Sequence, residues 1–364
     1  MPQCIQAVVG NAALANSMLY AFLRSLLFAV PPAEAHGMAM DGLRAFEALT
    51  PLHGATRAYF AAPESLRTTR MGLTFPSPIG LAGGFDKDAR VPRSMAALGF
   101  GFLELGTVTA QAQEANPSPN MFRLSDDRAL VNRLGFPNDG ADAVAKRFRA
   151  CGPVGVPVAF SIGKSRAVAI DPIEPVVEDY LASFRAVRDV ADFVIVNVSS
   201  PNTKGLRALQ GPELARALLG AIVRENTTTG VARPILLKVS PDLSEPDLDA
   251  LLDVVHEVKL DGLVATNTTL ARTGLVSRKE VVTAAGDGGL SGPPVRARAL
   301  QIVRKARAKL GPEATIIGVG GIETGRDARA YLDAGANLVQ LYTGFVYGGP
   351  MAPSRIAREL AALG

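Results

Sequence analysis

Eight short apolar runs alternate with stretches of helical periodicity, and this alternation is the strongest constraint on the fold of the chain. The runs are rich in β-branched residues and mostly continuous in apolar character, as is typical of parallel strands covered on both faces. They occupy residues 79–82, 102–105, 158–162, 193–198, 235–239, 262–266, 315–319 and 338–342. Helical patterns lie between them, with clear examples at 172–190, 212–226 and 293–310, and with Ser244 as a helix start.

Eight strand-helix units predict an α/β fold, an eight-stranded parallel β/α (TIM) barrel, which needs about 250 residues. Residues 71–364 provide that length. A doubly wound open sheet is the other candidate, but no Gly-x-Gly-x-x-Gly follows the first strand, and eight units exceed what one such domain usually holds. We predict an N-terminal helical segment, residues 1–50, followed by a barrel domain, residues 51–364.

The N-terminal segment is predicted to form two helices. One lies near residues 18–28, and Pro31 and Pro32 begin a second, because proline fits the first turn of a helix. The pair is more apolar than a free surface hairpin, so we expect it to cap the barrel, contact a membrane, or both. The densest apolar run, 18–30, is too short for the roughly 20 residues of a spanning helix. The segment also lacks the basic start and cleavage site of a secretory signal.

The composition excludes several classes of protein. The chain is 48% hydrophobic and 20% charged, so it can bury a large core. Its net charge of +4 comes without a dense basic run, and nucleic acid binding is not indicated. Cys4 and Cys151 cannot make a disulfide framework, and His36, His53 and His256 lack the spacing of zinc ligands. Metal-free chemistry is therefore expected.

Polar side chains cluster at the C-terminal ends of the predicted strands, where barrels carry their chemistry. A single Asn or Thr there is more often a cap or turn residue. All eight strand ends carry polar or glycine residues, mainly amides, hydroxyls and lysines, and this convergence indicates an active site. The long connections at 108–140 and 201–211 are expected to form its walls. The residues are Asp86, Lys87, Thr107, Ser161, Lys164, Asn197, Ser199, Ser200, Lys238, Thr266, Asn267, Thr268, Gly320, Gly321, Tyr342 and Thr343.

Two glycine-containing loops after the last two strands favour a phosphate site. They are residues 318–321 and 342–344, with Glu323 and Thr324 as a helix entry, and backbone N–H groups at such places bind anions. The alternative is a pair of tight turns. A phosphate bound there could belong to a sugar substrate or to flavin mononucleotide (FMN).

Lys238 ends the apolar run of the fifth strand, so its ammonium needs an anionic partner. The pyrimidine edge of a reduced flavin would serve, and so would a carboxylate inside the barrel. Ser200 lies in a segment of amides and hydroxyls, 197–203, with no histidine nearby for a hydrolase triad. It could act as a base only with a proton relay through water or Thr203, and a purely hydrogen-bonded loop is equally compatible.

Together these motifs resemble the dihydroorotate dehydrogenase family, class 2, the membrane-associated form that reduces a quinone. The resemblance covers nearly the whole chain from about Met18. It is carried by GLAGGFDKDA (80–89), GFGFLELGTVT (99–109), NRLGFPNDG (132–140), NVSSPNTKGLR (197–207), KVSPDLSE (238–245), ATNTT (265–269), GGLSGPP (288–294), IIGVGGI (316–322) and VQLYTGF (339–345).

The resemblance implies an FMN cofactor and a set of binding residues for it. The cofactor residues would be Gly83, Gly84, Lys87, Thr107, Ser161, Asn197, Lys238, Thr266, Gly292, Gly321, Tyr342 and Thr343. Dihydroorotate has ring amides and one carboxylate, and it would be held by amide groups and a cation. Those residues would be Lys87, Asn132, Arg133, Leu134, Gly135, Phe136, Asn197, Asn202, Asn267 and Thr268.

The resemblance also implies a mechanism in pyrimidine biosynthesis. Ser200 would remove the C5 proton of dihydroorotate while hydride passes from C6 to flavin N5, giving orotate. Thr203 and Phe136 match residues near the proton exit path. A membrane quinone would then reoxidise the flavin through a tunnel between the N-terminal helices, with the enzyme peripheral on the cytoplasmic face of a bacterial inner membrane. A mitochondrial membrane is less favoured because no transit peptide is visible.

Three residues depart from the family pattern. Ser161 stands where Asn usually precedes Ile-Gly-Lys, a change worth about 1 kcal/mol if one neutral hydrogen bond is lost. Pro137 replaces an Asn, and Gly83 replaces an Ala beside the flavin.

Two other functions stay open at this point: a different FMN-dependent barrel oxidoreductase, and a flavin-free phosphate-binding barrel that is an isomerase or a binding module.

Overall fold

The computed structural model of the chain describes residue 20 and residues 23–228 and 230–364. Cys4 and the first part of the predicted helix near 18–28 lie outside these residues. The strands within them are β1 (Thr68–Arg70), β2 (Leu73–Phe75), β3 (Ile79–Leu81), β4 (Phe102–Val108), β5 (Met121–Leu124), β6 (Ala129–Asn132), β7 (Val158–Ile162), β8 (Phe193–Asn197), β9 (Ile235–Val239), β10 (Gly262–Ala265), β11 (Gly289–Ser291), β12 (Thr315–Val319) and β13 (Leu338–Leu341).

Eight parallel strands close into a barrel in the order β3, β4, β7, β8, β9, β10, β12 and β13, which pairs again with β3. These are the eight predicted runs, each starting at its predicted residue. β4 extends three residues beyond its predicted end, to Val108, and four others, β3, β8, β10 and β13, end one residue early. The predicted β/α barrel is confirmed.

Helices surround the barrel. Residues 23–29 form α1, and the others are α2 (Pro32–Ala48), α3 (Thr50–Phe60), α4 (Pro92–Ala97), α5 (Ala141–Cys151), α6 (Ile173–Arg188), α7 (Pro212–Thr228), α8 (Glu245–Glu257), α9 (Lys279–Ala285), α10 (Arg296–Leu310), α11 (Gly325–Asp333), α12 (Thr343–Gly348) and α13 (Ala352–Ala361). Ser244 caps α8 as predicted, since its hydroxyl accepts from the Asp247 N–H. Thr324 and Asp327 form a capping box that begins α11.

The base of the barrel is closed by the antiparallel hairpin of β1 and β2, which the sequence analysis did not predict. Phe75 of this hairpin is completely buried. Its ring centroid lies 5.6 Å from that of Phe102 and 6.4 Å from that of Phe193, both on barrel strands. The three aromatic rings pack together and fill this end of the barrel, where β4 and β8 begin.

The N-terminal helices lie over the opposite end of the barrel, near its mouth. α2 begins at Pro32 as predicted, and Glu47 near its end pairs with Arg93 at 2.9 Å and accepts from the Ser94 N–H at 2.6 Å. Arg123 of β5 donates to backbone carbonyls of residues 27, 28 and 30 and so holds the end of α1. The helix α3 was not foreseen, and the division of domains at residue 50 stays a prediction.

Two features complete the mouth of the barrel. The long connection after β4 contains β5 and β6, which pair with β11 in a separate antiparallel sheet. This sheet forms one wall of the opening at the C-terminal ends of the strands. Within the described residues, no helix is both long and apolar enough to cross a membrane.

Candidate active site

A cavity lies at the C-terminal ends of the barrel strands, and its empty space, counted out to the open mouth, is about 1000 Å³. Its position is the one at which barrels bind small molecules. It is lined by Ala82, Gly83, Gly84, Lys87, Thr107, Asn132, Leu134, Gly135, Phe136, Asn197, Ser200, Asn202, Lys238, Thr266, Asn267, Thr268, Ser291, Gly292, Val295, Val319, Gly320, Gly321, Ile322, Gln340, Tyr342, Thr343 and Gly344.

The structure brings together every predicted cofactor and substrate residue except two. Ser161 does not line the cavity; it is fully buried, and its hydroxyl lies 2.9 Å from the hydroxyl of Thr107, which does. The Asn197 amide also donates to the Thr107 hydroxyl, at 2.9 Å. Ser161 therefore supports the cavity wall through Thr107, and its direct contact with a cofactor stays a prediction.

Arg133 is the second exception. Its guanidinium donates to the carbonyls of Pro119, Ala285 and Asp287 and lies 4.6 Å from the ring centroid of Phe122. These contacts tie the β5–β6 hairpin to the segment that enters β11. The side chain thus has a structural role in this arrangement, while the neighbouring Asn132 and Leu134 line the cavity.

One wall of the cavity is a connected set of side-chain amides. Asn267 donates to the Asn197 carbonyl oxygen at 3.2 Å and to the Ser199 hydroxyl at 3.0 Å. Asn202 donates to the Asn132 carbonyl oxygen at 3.0 Å. Because these amides hold each other in place, the wall presents fixed donors and acceptors to a planar ring with its own amide groups.

Ser200 lies on this wall, at the loop after β8. Its hydroxyl is buried and accepts a 3.2 Å hydrogen bond from the Asn202 N–H, which leaves its own proton free for another acceptor. The hydroxyl of Thr203 is also buried, and it has no hydrogen-bond partner among the described residues. Arg207 anchors the loop by donating to the carbonyls of Ser199 and Thr268.

Lys87 is the free cation of the cavity wall within the described part of the chain. Its side chain is partly buried, and this burial lowers its pKa to about 8, although Asp88 and Asp86 nearby oppose the shift. Its ammonium donates to the Gly84 carbonyl at 2.5 Å and forms no salt bridge with a described residue. A partly buried ammonium without an ion-pair partner favours binding of an anionic ligand.

Lys238 is paired where Lys87 is not. Its ammonium lies 2.9 Å from a carboxylate oxygen of Glu104, and the other oxygen of Glu104 accepts from the Gln340 amide at 2.9 Å. All three side chains are buried. The carboxylate partner that the sequence left as the alternative is therefore present, and Lys238 also lines the cavity.

The far end of the cavity is built from backbone. Gly292, Gly320 and Gly321 all have positive φ values, and a Cβ at Gly321 would lie 2.7 Å from the Pro293 Cα. Glycine is needed here both for the conformation and for the close approach of two loops. Thr343 begins α12 beside them, and its hydroxyl donates to Ser291 at 2.8 Å. This end of the cavity therefore exposes backbone to a ligand with little side-chain cover, as phosphate sites do.

The family model for dihydroorotate dehydrogenase matches residues 65–363. The chain belongs to the dihydroorotate dehydrogenase family. The curated "Dihydroorotate dehydrogenase (quinone)" of Thermobifida fusca is 47% identical over 352 residues, covering 95% of this chain and 93% of the relative. The protein of the same name from Mycobacterium tuberculosis (strain ATCC 25618 / H37Rv) is 46% identical over 332 residues, covering 91% and 90%. The resemblance to class 2 is thus confirmed.

Solved structures agree with this assignment. The crystal structure of the Eimeria tenella dihydroorotate dehydrogenase in complex with ferulenol has a TM-score of 0.80 to this chain at 33% identity, and the match covers 91% of each chain. The ligand-free form of the Eimeria enzyme has a TM-score of 0.78 at 34% identity, covering 83% of this chain and 88% of that one. Fold and sequence therefore point to the same family.

Dihydroorotate dehydrogenases of the quinone-dependent class are FMN flavoproteins, and the cavity fits that cofactor. The glycine-lined end of the cavity suits the phosphate of FMN. The C-terminal ends of the barrel strands provide both apolar and polar side chains to surround the flavin ring. Ser291, Val295 and Gln340 line the cavity without having been predicted. Gln340 could have been found, because it lies two residues before Tyr342 and strand residues alternate between faces.

Proposed function

We propose that this protein oxidises dihydroorotate to orotate, using bound FMN as hydride acceptor and a membrane quinone as the final oxidant. The observation that carries the proposal is the convergence of Ser200, the amide wall and Lys87 on one cavity. An amide ring with a carboxylate needs such a combination of amide partners and one cation. The family of the chain supports the same substrate.

The substrate would lie against the amide wall. Asn132, Asn202 and Asn267 offer donors and acceptors to the ring, and Lys87 binds the carboxylate through a charge-assisted hydrogen bond. FMN, when bound, would supply the hydride acceptor. Gly292, Gly321 and the start of α12, at the glycine-lined end, would hold its phosphate.

Ser200 is proposed as the base that removes the C5 proton. Its proton must pass onward before it can take another, since a serine hydroxyl is a poor base by itself. The buried hydroxyl of Thr203, three residues along the same loop and without a partner among the described residues, is a suitable relay, provided that it passes a proton on to a water molecule that carries it to solvent. The loop is held by Arg207, so the two hydroxyls keep their relation to the substrate.

Membrane attachment is proposed for the N-terminal helices. Leu26 and Met38 are more than half exposed, at 55% and 58%, and they lie on α1 and α2 beside the barrel mouth. Phe85 stacks edge-on against His36 of α2 and against Tyr342 of the cavity wall, at centroid distances of 5.4 and 6.1 Å. These ring contacts link α2 to the cavity wall, and they support our proposal that a quinone enters between the N-terminal helices from the cytoplasmic face of a bacterial inner membrane.

The experiment is an anaerobic absorbance titration of the purified flavoprotein with dihydroorotate, for the wild type and for Ser200→Ala. We expect dihydroorotate to bleach the wild-type flavin. The variant should keep FMN, but its flavin should be reduced about 10³-fold more slowly, because the base is lost. Ser354→Ala, which removes another buried hydroxyl in α13, is the matched control and should behave as wild type. A flavin that dithionite bleaches but dihydroorotate does not would refute the proposed substrate.

Quinone turnover needs a second measurement on the same preparation. Deleting residues 1–50 is expected to leave flavin reduction by dihydroorotate largely intact but to impair reoxidation by a quinone in vesicles. Equal quinone rates with and without the segment would refute the role of the helices. The two half-reactions separate the substrate assignment from the acceptor assignment.

A further inference from the structure

Glu104 is a completely buried carboxylate that lies directly beneath the flavin cavity without lining it. Three residues that do line the cavity surround its side chain: Lys238 and Gln340 through hydrogen bonds, and Gly83 through close approach. A buried charge of this kind is retained only with partners. We therefore ask how the Glu104 carboxylate affects the position and the charge of the cavity residues that it contacts.

The carboxylate connects strands that are not neighbours. Glu104 is on β4, Lys238 on β9 and Gln340 on β13, and other strands separate each pair in the barrel. Both bonds to the carboxylate are 2.9 Å long, so it fixes two side chains of the cavity floor at once. The second polar atom of the Gln340 amide, Oε1, is buried and has no partner among the described residues.

Gly83 makes room for this arrangement. A Cβ added to Gly83 would lie 2.2 Å from Oε1 of Glu104 and 2.7 Å from its Cδ, far inside any normal contact. Glu104 has no exposed surface and two fixed partners, so its carboxylate could move only by breaking a bond to one of them.

We propose that Glu104 is a positioning residue that sets the charge beneath the flavin, and that Gly83 is what allows its carboxylate to lie there. Reduction of a flavin adds negative charge to the ring system. The Lys238 ammonium at the cavity wall favours that charge, and the Glu104 carboxylate, 2.9 Å from the ammonium, offsets its effect. The carboxylate therefore lowers the affinity of the protein for reduced FMN relative to oxidised FMN, compared with what the lysine alone would give. This inference rests on FMN binding and not on the proposed oxidation of dihydroorotate.

The test is the midpoint potential of the bound flavin, measured by spectroelectrochemical titration with chemical mediators, together with the Kd of the apoprotein for oxidised FMN. Glu104→Gln keeps the shape and removes the charge. We expect it to raise the ratio of affinities for reduced and oxidised FMN about tenfold, the size for one charge acting over roughly 10 Å at an effective dielectric constant near 20. Tenfold corresponds to an upward shift of about 30 mV for a two-electron couple.

Gly83→Ala tests the second half of the proposal. Its methyl displaces the carboxylate, so the potential should shift in the same direction as in Glu104→Gln but less. Gly54→Ala, where an added Cβ meets nothing within 4 Å, is the matched control and should leave the potential unchanged. In the double variant, Gly83→Ala should add nothing to Glu104→Gln, because the charge it would displace is gone.

Each result decides the matter. An unchanged potential in Glu104→Gln refutes the proposal, and an additive shift in the double variant refutes the link between Gly83 and Glu104. If Glu104→Gln does not retain FMN, the potential of Gly83→Ala alone supports or refutes it. Since no step uses dihydroorotate, failure of the proposed substrate would leave these outcomes readable.

Discussion

The two lysines of the cavity are held in opposite ways. Lys238 lies in a direct ion pair with Glu104, while Lys87 is partly buried with only a backbone carbonyl as hydrogen-bond acceptor among the described residues. One side of the cavity is therefore already neutralised, as suits a cofactor that stays bound. The other keeps an uncompensated positive charge, as suits an anionic substrate that arrives and leaves.

The largest expected effect is the loss of stability when the ion pair between Lys238 and Glu104 is removed. Lys238→Met leaves the Glu104 carboxylate buried and unpaired, and we expect it to destabilise the protein by about 3–5 kcal/mol. Thermal unfolding of the apoprotein measures this. Lys87→Met is the comparison, and it should cost far less, because no described carboxylate loses its ion pair. Equal losses in the two variants would contradict the distinction between the lysines.

The next effect concerns binding on the uncompensated side. Lys87→Met should weaken orotate binding by about 1.5–3 kcal/mol, the worth of a hydrogen bond to a charged group, or roughly 10- to 150-fold in Kd. Perturbation of the flavin absorbance by orotate reports the Kd. Lys146→Met, which removes an exposed lysine on α5, serves as the control. Wild-type affinity in Lys87→Met would remove the lysine from the substrate site.

The pH dependence of orotate binding sharpens the same point. The pKa of Lys87 is lowered to about 8 by burial, so its charged form, which we propose binds the carboxylate, is lost as the pH rises through that value. We expect orotate affinity to be constant below about pH 7 and to fall by about tenfold per unit above pH 8. Lys87→Met should abolish this dependence. A slope that persists in the variant would assign the titration to another group.

The barrel could be predicted from sequence because each of its strands is a short, continuously apolar segment. Each of the eight strands starts at its predicted residue, since burial on both faces requires apolar side chains at consecutive positions. The β1–β2 hairpin and the β5–β6 pair were missed. Their strands have only three or four residues, too few for an alternation of apolar and polar residues to show, and β1, β2 and β5 are also partly exposed.

The site was predictable only in part, for a similar reason. Strand ends and the family resemblance identify most of the cavity lining, because both depend on sequence position. The partners of each side chain depend on three-dimensional distances. Nothing in the sequence shows that Arg133 points to the carbonyls of Ala285 and Asp287, or that Lys238 meets Glu104 across the barrel.

The smallest expected effect tests whether Ser161 acts on the cofactor through Thr107. Ser161→Ala removes a hydroxyl that lies 2.9 Å from the Thr107 hydroxyl but outside the cavity lining. One neutral hydrogen bond is worth about 1 kcal/mol, so the Kd for FMN should rise about fivefold, measured by fluorescence titration of the apoprotein. Ser354→Ala should leave it unchanged. If Thr107→Val alone weakens FMN binding and adding Ser161→Ala weakens it no further, the serine acts through the threonine. Additive losses would instead mean that Ser161 contacts the cofactor independently of Thr107.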